Sequence, residues 1–180
     1  MADALTQATG RVPVLIANDP AAAEWLPGTV IHADVMPGLG SLGGILTAVE
    51  TGGPADGRTG GPAGGVLCVA WDMPFVSAAL LKELASMLAD ADAAVPESDS
   101  RRGVEPLCAA YGPACGPAIR AAAARGDNRA IAFHADIRLA RLSRDRVLQY
   151  GDPGVLFFNV NTPADLSRAE SLCRIPGSSR

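Results

Sequence analysis

One stretch of the chain carries a clear chemical signal: Val66-Leu67-Cys68-Val69-Ala70-Trp71-Asp72-Met73-Pro74-Phe75, an apolar run that meets an acid and then a proline. A β-branched and small-apolar run of this length reads as a strand buried on both faces, the pattern of a parallel sheet covered by helices. Asp72 then stands where the strand ends. In open α/β sheets the crevice beyond the carboxyl ends of the strands is where ligands bind, so a carboxylate there is placed to hold a cation. Mg²⁺ is the natural one, because it takes oxygen ligands from one or two carboxylates and completes its shell with water and substrate phosphates. An acid just before Pro and Ser is also good helix-start chemistry, and the residues alone leave both roles open for Asp72.

Other polar residues recur at the same kind of place. Asn18-Asp19-Pro20 closes a short apolar run, Val12 to Ala17, and Asp34 closes another, Val30 to Ala33. Pro37-Gly38-Leu39-Gly40-Ser41-Leu42-Gly43-Gly44 precedes the helical run Ile45 to Val49, and glycines there let the backbone approach a phosphate or a base and point amides at it. Glu105-Pro106-Leu107-Cys108-Ala109-Ala110-Tyr111 opens a strand with an acid and a proline, which suggests an edge strand or a strand beginning near the working end of the sheet. Phe157-Phe158-Asn159-Val160-Asn161-Thr162-Pro163 reads as a strand ending in two amides, with Thr-Pro opening a last helix, Ala164 to Leu172.

The elements that must position these residues follow from periodicity. Met1 to Thr9 has helical spacing with Gly10 as its stop, and Ser77 to Asp90 carries Leu80, Leu81, Leu84 and Leu88 on one face. Ala93 to Pro96 and Ile137 to Leu142 read as strands, Ser98 to Gly103 as a polar loop, Gly116 to Arg125 as a helix and Gly151 to Val155 as a turn. Gly52 to Gly65 is low in complexity and reads as a surface loop. At 180 residues the chain suits a single domain over 1–174, with 175–180 as a disordered tail. Only 4% of residues are aromatic against 48% apolar, so the core must be built from Ala, Val, Leu and Ile.

Composition narrows the function. Net charge is −4 and no run of Lys or Arg is long enough to follow a nucleic-acid backbone, which argues against DNA or RNA as a partner. No apolar stretch approaches the length of a membrane span, and no signal segment opens the chain. Cys68, Cys108, Cys115 and Cys173 lack metal-type spacing and read as buried thiols in a reducing cytoplasm. His32 and His134 have no partner nearby in sequence and read as structural; Trp25 and Trp71 read as packing residues, and Asp127, Asp136 and Asp152 as solvated turn acids.

Taken in order, the Gly40-Ser41-Leu42-Gly43-Gly44-Ile45 loop, the Asp72-Met73-Pro74-Phe75 turn, Glu105 to Tyr111 and Phe158-Asn159-Val160-Asn161-Thr162-Pro163 resemble the molybdenum cofactor guanylyltransferases, the MobA-like branch of the nucleotidyltransferases. The resemblance spans most of the chain from Val12 onward, and Asn-x-Asn-Thr-Pro favours this branch over the related cytidylyltransferases. It implies a Rossmann-like, three-layer α/β nucleotidyltransferase fold with a mostly parallel central sheet. It also implies transfer of GMP from GTP to molybdopterin with release of pyrophosphate. On this resemblance Asp72 binds Mg²⁺, and Asn18, Asp34, Gly40, Gly43 and Gly44 form the guanine nucleotide site. Glu105, Asn159 and Asn161 fall on the pterin side, and other proteins of molybdenum cofactor biosynthesis, or acceptors of the cofactor, are the implied partners. Arg101, Arg102 and Arg129 are candidates for the pterin phosphate on charge alone.

The chain also departs from that family. Members open with a strand running into Leu-Ala-Gly-Gly-x-Ser-x-Arg-Met-Gly-x-Asp-Lys, and nothing here matches it; the single lysine, Lys82, lies in the helix after Asp72. Met1 falls inside the family's first helix, so the expectation is a fold whose first, central strand and phosphate loop are missing from these residues. Ser41 stands where the family often has Pro, and Trp71 where it often has Cys. The competing readings are a pterin- or nucleotide-binding remnant without catalysis, and a cytidylyltransferase or other nucleotidyltransferase.

Overall fold

The computed structural model describes residues 1–52 and 64–173. Most of the Gly52 to Gly65 stretch and the whole of the 175–180 tail therefore lie outside the described residues. Helix α1 (Ala2–Thr9) ends at Gly10, which takes the left-handed conformation at φ 71° and donates its N–H to the Thr6 carbonyl. Strands β1 (Leu15–Ile16) and β2 (Ile31–His32) pair in parallel around the short helix α2 (Ala22–Trp25). Both strands are shorter than their apolar runs predict, because only the central residues of each run find a ladder partner.

Helix α3 (Ser41–Thr51) leads to β3 (Val66–Val69), and α4 (Ala78–Ser86) follows, tightening into a 3-10 turn at Met87–Ala89. Strands β4 (Ala93–Pro96) and β5 (Cys108–Tyr111), helix α5 (Cys115–Ala124), a 3-10 turn at His134–Asp136, and β6 (Leu139–Leu142) complete the sheet region. Three helices close the described chain: α6 (Arg144–Val147), α7 (Pro153–Leu156) and α8 (Pro163–Cys173).

The larger sheet has the order β3-β5-β4-β6. β5 runs antiparallel to both of its neighbours, while β4 and β6 are parallel, so β3, β4 and β6 all point the same way. Along the two inner strands the side chains alternate between faces, as strand geometry requires. Ala94, Cys108 and Ala110 meet Leu80, Leu81, Leu84 and Leu5 of α4 and α1 on one face, whereas Ala93, Val95, Ala109 and Tyr111 meet Leu42, Ile45, Leu46 and Ile119 of α3 and α5 on the other. The result is three layers, with small residues in the sheet letting the helices approach closely. The α4 leucines predicted to face the sheet are buried to the last one, Leu88.

Several sequence expectations are corrected. β3 is half-buried at the margin of the larger sheet, not covered on both faces, because only β5 pairs with it. β5 is interior and fully buried, so Pro106 marks the approach to the strand and not an edge; its neighbours supply both ladders. Residues 157–161 form no strand, since their backbone turns back on α7 and on the Asp72 turn. Gly151 to Val155 runs into α7, where Asp152 accepts the Gly154 N–H at 2.8 Å and so caps a helix instead of standing free. Asp127 and Asp136 are paired with Arg129 and Arg125 at 2.6 and 2.8 Å. Pairs this exposed are screened by solvent and add little to stability.

The β1-β2 pair does not join the larger sheet. Leu15 and Ala17 donate their N–H groups to Val30 and His32, so the backbone of Val14 and Ile16 faces the opposite side. On β3, Ala70 donates to Leu107 at 2.7 Å; alternation then turns Val66 and Cys68 toward β5 and leaves the backbone of Leu67 and Val69 facing away from it. Between these two margins lies a groove lined also by Met1 and Leu5 of α1 and by Ile45 and Ala48 of α3. Among the described residues no strand lies between β1 and β3.

Candidate functional site

The groove, about 860 Å³ in volume, extends to the carboxyl ends of β1, β2 and β3. Asn18, Asp34, Gly40, Ser41, Gly44 and Asp72 all line it. Asn18, Asp34 and Asp72 reach it for one reason: each stands where an apolar strand stops and the chain turns.

Asp34 is held from both sides. Asn18 donates from Nδ2 to Asp34 Oδ2 at 2.8 Å, and the Asp34 backbone N–H donates to Asn18 Oδ1 at 2.9 Å, a reciprocal pair that also fixes the orientation of the Asn18 amide. From the other side the buried Thr47 hydroxyl accepts the Val35 N–H at 3.0 Å and donates to the Gly43 carbonyl at 2.8 Å, lying 3.4 Å from Asp34 Oδ1. Gly43 itself does not reach the cavity. A Cβ there would sit 3.1 Å from the Met36 carbonyl and 3.5 Å from Asp34 Oδ2, so its bareness lets the β2-α3 turn pack.

The predicted glycine loop is partly helix. α3 begins at Ser41, so Gly43 and Gly44 lie in its first turn, and only Gly40, at φ 55° and ψ −134°, keeps a conformation that suits glycine alone. No side chain caps this N-terminus. Its first amides therefore remain available to an acceptor on a ligand, where the helix dipole also favours negative charge.

Asp72 sits in the opposite condition. Its backbone is fixed, with Met73 donating to the Ala70 carbonyl, Val160 donating to the Asp72 carbonyl at 2.9 Å, and the Met73 side chain buried. Its carboxylate, by contrast, forms no hydrogen bond or ion pair with any described residue. The helix-capping role is taken by Ser77, whose side chain accepts the Leu80 N–H at 3.1 Å. A carboxyl that accepts no hydrogen bond from any described residue, half-buried at the cavity wall, has the donor chemistry of a cation site. Among the described residues no cluster of three or more His, Cys, Asp or Glu could enclose a metal ion by itself.

The residues expected on the pterin side lie apart from the cavity lining. Glu105 is buried, and burial pushes its carboxyl up; the Arg102 charge pulls it down and Asp72 pushes it up further, so it lies within electrostatic reach of both. Asn159 donates to the Phe157 carbonyl at 3.2 Å, and the Asn161 N–H reaches Asp165. Asp165 and Thr162 exchange bonds in a reciprocal cap that starts α8. Of the candidate arginines, Arg129 is tied to Asp127, which removes it as a ready phosphate contact; Arg101 and Arg102 stand exposed in the turn before Glu105.

Two features escaped the sequence. Trp25 and Trp71 do not pack in the core: they stack on each other at the cavity rim, ring centres 5.2 Å apart, and Trp71 remains 69% exposed. Thr47 is the other, and its only signal was a lone hydroxyl in the apolar run Ile45-Leu46-Thr47-Ala48-Val49. The cysteine reading stands for the core thiols: burial pushes Cys68 and Cys115 up to about 12 and raises Cys108 as well, so none is a thiolate at neutral pH. Cys173 is exposed. No helix among the described residues is long and apolar enough to cross a membrane.

A three-layer α/β domain whose polar strand ends converge on one cavity belongs to the broad class of nucleotide-binding folds. The comparisons with known proteins are more specific. Residues 1–141 match the model of the MobA-like NTP transferase domain. The chain is 31% identical over 142 residues to a protein of Pelotomaculum thermopropionicum named probable molybdenum cofactor guanylyltransferase, covering 79% of this chain and 64% of that one. It is 29% identical over 160 residues to the molybdenum cofactor guanylyltransferase of Desulfosudis oleivorans, covering 88% and 73%. The crystal structure of molybdopterin-guanine dinucleotide biosynthesis protein A from Archaeoglobus fulgidus superimposes with a TM-score of 0.73 at 26% identity, over 94% of this chain and 82% of that chain. This chain belongs to the MobA-like NTP transferase domain family. It spans just under two thirds of the length of the Pelotomaculum relative.

Proposed function

We propose that this domain transfers GMP from GTP to molybdopterin, releasing pyrophosphate, with Mg²⁺ as the cation. The observation that carries the reading is the pairing, in one cavity, of a locked carboxylate and an unclaimed one. Asp34 is an acceptor-only group held in one pose, and an acceptor pair of that kind complements an edge carrying two adjacent N–H donors, such as the N1–H and 2-amino group of guanine. The uncapped start of α3 supports it, since its amides suit an oxygen of the same nucleotide.

In this reading Asp72 is the group that would hold Mg²⁺, and the cation supplies charge neutralisation for the triphosphate and the leaving pyrophosphate. Asp34 and Asn18 fix the nucleotide at its base end, Asp72 would hold the cation at its phosphate end, and the acceptor phosphate attacks the α-phosphorus as pyrophosphate leaves. The nucleophile is already an anion, so no strong base is required; the chain contributes alignment and electrostatic placement. Glu105, within electrostatic reach of Arg102 and Asp72, is the acid we assign to the acceptor side.

A second reading, nucleotide or pterin binding without transfer, has one observation in its favour. Arg11 is the one basic side chain among the described residues that line the cavity, which is little positive charge for a triphosphate.

The melting temperature of the chain in Mg²⁺ with GTP, against Mg²⁺ with CTP, tests the proposal. Ligand at about a hundred times Kd stabilises the folded state by roughly 2.7 kcal/mol. A rise with GTP alone, followed by GTP-dependent pyrophosphate release when molybdopterin is added, is the expected result. A rise with GTP and no release selects the second reading, and no rise with either nucleotide removes the proposal.

A further inference from the structure

We infer that Thr47 is a positioning residue that sets the base preference of the nucleotide site by fixing the pose of Asp34. The inference rests on the reading of Asp34 as the group that meets the base. Thr47 makes no contact with the cavity: its side chain is fully buried in α3, one turn after Gly43. Its hydroxyl accepts the N–H of Val35, the residue next to Asp34, at 3.0 Å, donates to the Gly43 carbonyl at 2.8 Å and lies 3.4 Å from Asp34 Oδ1.

One buried oxygen therefore ties the chain on both sides of the β2-α3 turn. Val35 itself is 40% exposed, so without Thr47 nothing else recorded for its N–H would hold that part of the turn. Asn18 restrains Asp34 through Oδ2 and its backbone N–H only. That pair acts as a hinge, and rotation of the carboxylate about it stays open unless the far side is fixed. Thr47 closes the far side: with its proton on the Gly43 carbonyl, its oxygen stands 3.4 Å from Asp34 Oδ1 as a block to that rotation, and the Val35 N–H it accepts holds the backbone next to Asp34. The consequence is specific: a base offering two adjacent N–H donors gains from a carboxylate whose two oxygens are both set, whereas a base offering one donor gains little. A site built to satisfy hydrogen bonds discriminates against ligands lacking them, and that discrimination fails when the acceptor can swing.

The test compares GTP, ITP, which lacks the 2-amino group, and CTP by calorimetric titration in Mg²⁺. The proteins are the unaltered chain, Thr47→Ser, Thr47→Val and Asp34→Asn. The expected result is a preference for GTP over ITP of roughly tenfold, the scale of one hydrogen bond to a charged group. Thr47→Ser keeps that preference, and Thr47→Val reduces it to about twofold with CTP binding unchanged. Rescue by serine and indifference of CTP separate positioning from a general loss of structure. If Thr47→Val keeps the full preference while Asp34→Asn loses it, the inference falls and the proposed function stands. If the unaltered chain does not distinguish GTP from CTP, the proposed function falls first. Hydrogen exchange of the Val35 amide in the unaltered chain gives an answer that does not depend on a variant folding. Slow exchange at this exposed residue supports the tie, and exchange at the rate of an open loop overturns it.

Discussion

The Asp34 corner and the Asp72 turn are both acids at the end of a strand, and they are built in opposite ways. Asp34 accepts one hydrogen bond from the Asn18 amide, donates its backbone N–H to Asn18 Oδ1 and has Thr47 behind it, so its geometry is settled before any ligand arrives. Asp72 has a fixed backbone and an unclaimed carboxylate. A group that reads a shape gains from being locked, because directional bonds weaken steeply with misalignment. A group that holds an ion gains from having its lone pairs free, because any internal partner would compete with the ion. The two corners thus divide recognition from charge handling.

Substitutions can break that division, and the largest effect belongs to the free acid. Asp72→Asn should lower GTP-dependent transfer by a hundredfold or more, on the order of 3 kcal/mol, while thermal unfolding stays within about 1 °C of the unaltered chain because no internal bond is lost. A fold loss comparable to the activity loss would mean that Asp72 is structural. Asp34→Asn should act on both counts. It turns one acceptor into a donor facing Asn18, costing about 1–2 kcal/mol of stability, and it should erase the preference for GTP over CTP in calorimetry. Gly43→Ala comes next, with tight contacts to the Met36 carbonyl and Leu39 Cβ in the turn that carries Asp34; several-fold weaker GTP binding is expected with CTP unaffected. Ser77→Ala, which removes the α4 cap, should lower stability by about 1 kcal/mol in urea titration and leave nucleotide preference alone.

A pH experiment away from both corners supplies the control. His134 is held down to about 4 by burial, with the Arg141 charge adding to it, and its Nε2 is buried without a partner. Its unfolded value is near 6.5. The unfolded chain thus binds the proton first as pH falls, so His134 contributes stability above about 6.5 that is lost progressively toward 4. Melting temperature should decline across that window and decline less in His134→Gln. GTP preference should not follow it.

How much of this was legible beforehand differs between the corners in the same way. Asp72 could be read from sequence because a strand, an acid and a proline are contiguous, and local order alone places the acid at the strand end. Asn18 and Asp34 were found as strand-end residues too, yet nothing local reveals that they bond each other, since that depends on β1 and β2 lying side by side. Thr47 was invisible for the same reason: its partners are Val35 and Gly43, reached only after α3 folds back on β2. Pro106 left β5 open between an edge and an entry near the working end of the sheet, and only the pairing with both β3 and β4 excludes the edge. The helices, whose 3.6-residue period is written in consecutive residues, were read most closely, from the Gly10 stop to the buried leucines of α4.

The stacked indoles at the rim have a spectroscopic consequence. The chain contains two tryptophans and both are in that stack. All intrinsic tryptophan emission therefore originates where the end of α2 meets the turn after β3, and none from the four-stranded core. In denaturant the emission reports the parting of α2 from that turn, while far-ultraviolet circular dichroism reports loss of the helices. If the β1-β2 pair detaches before the core unfolds, the two curves separate, and the gap between their midpoints measures how firmly the smaller sheet is fastened to the larger.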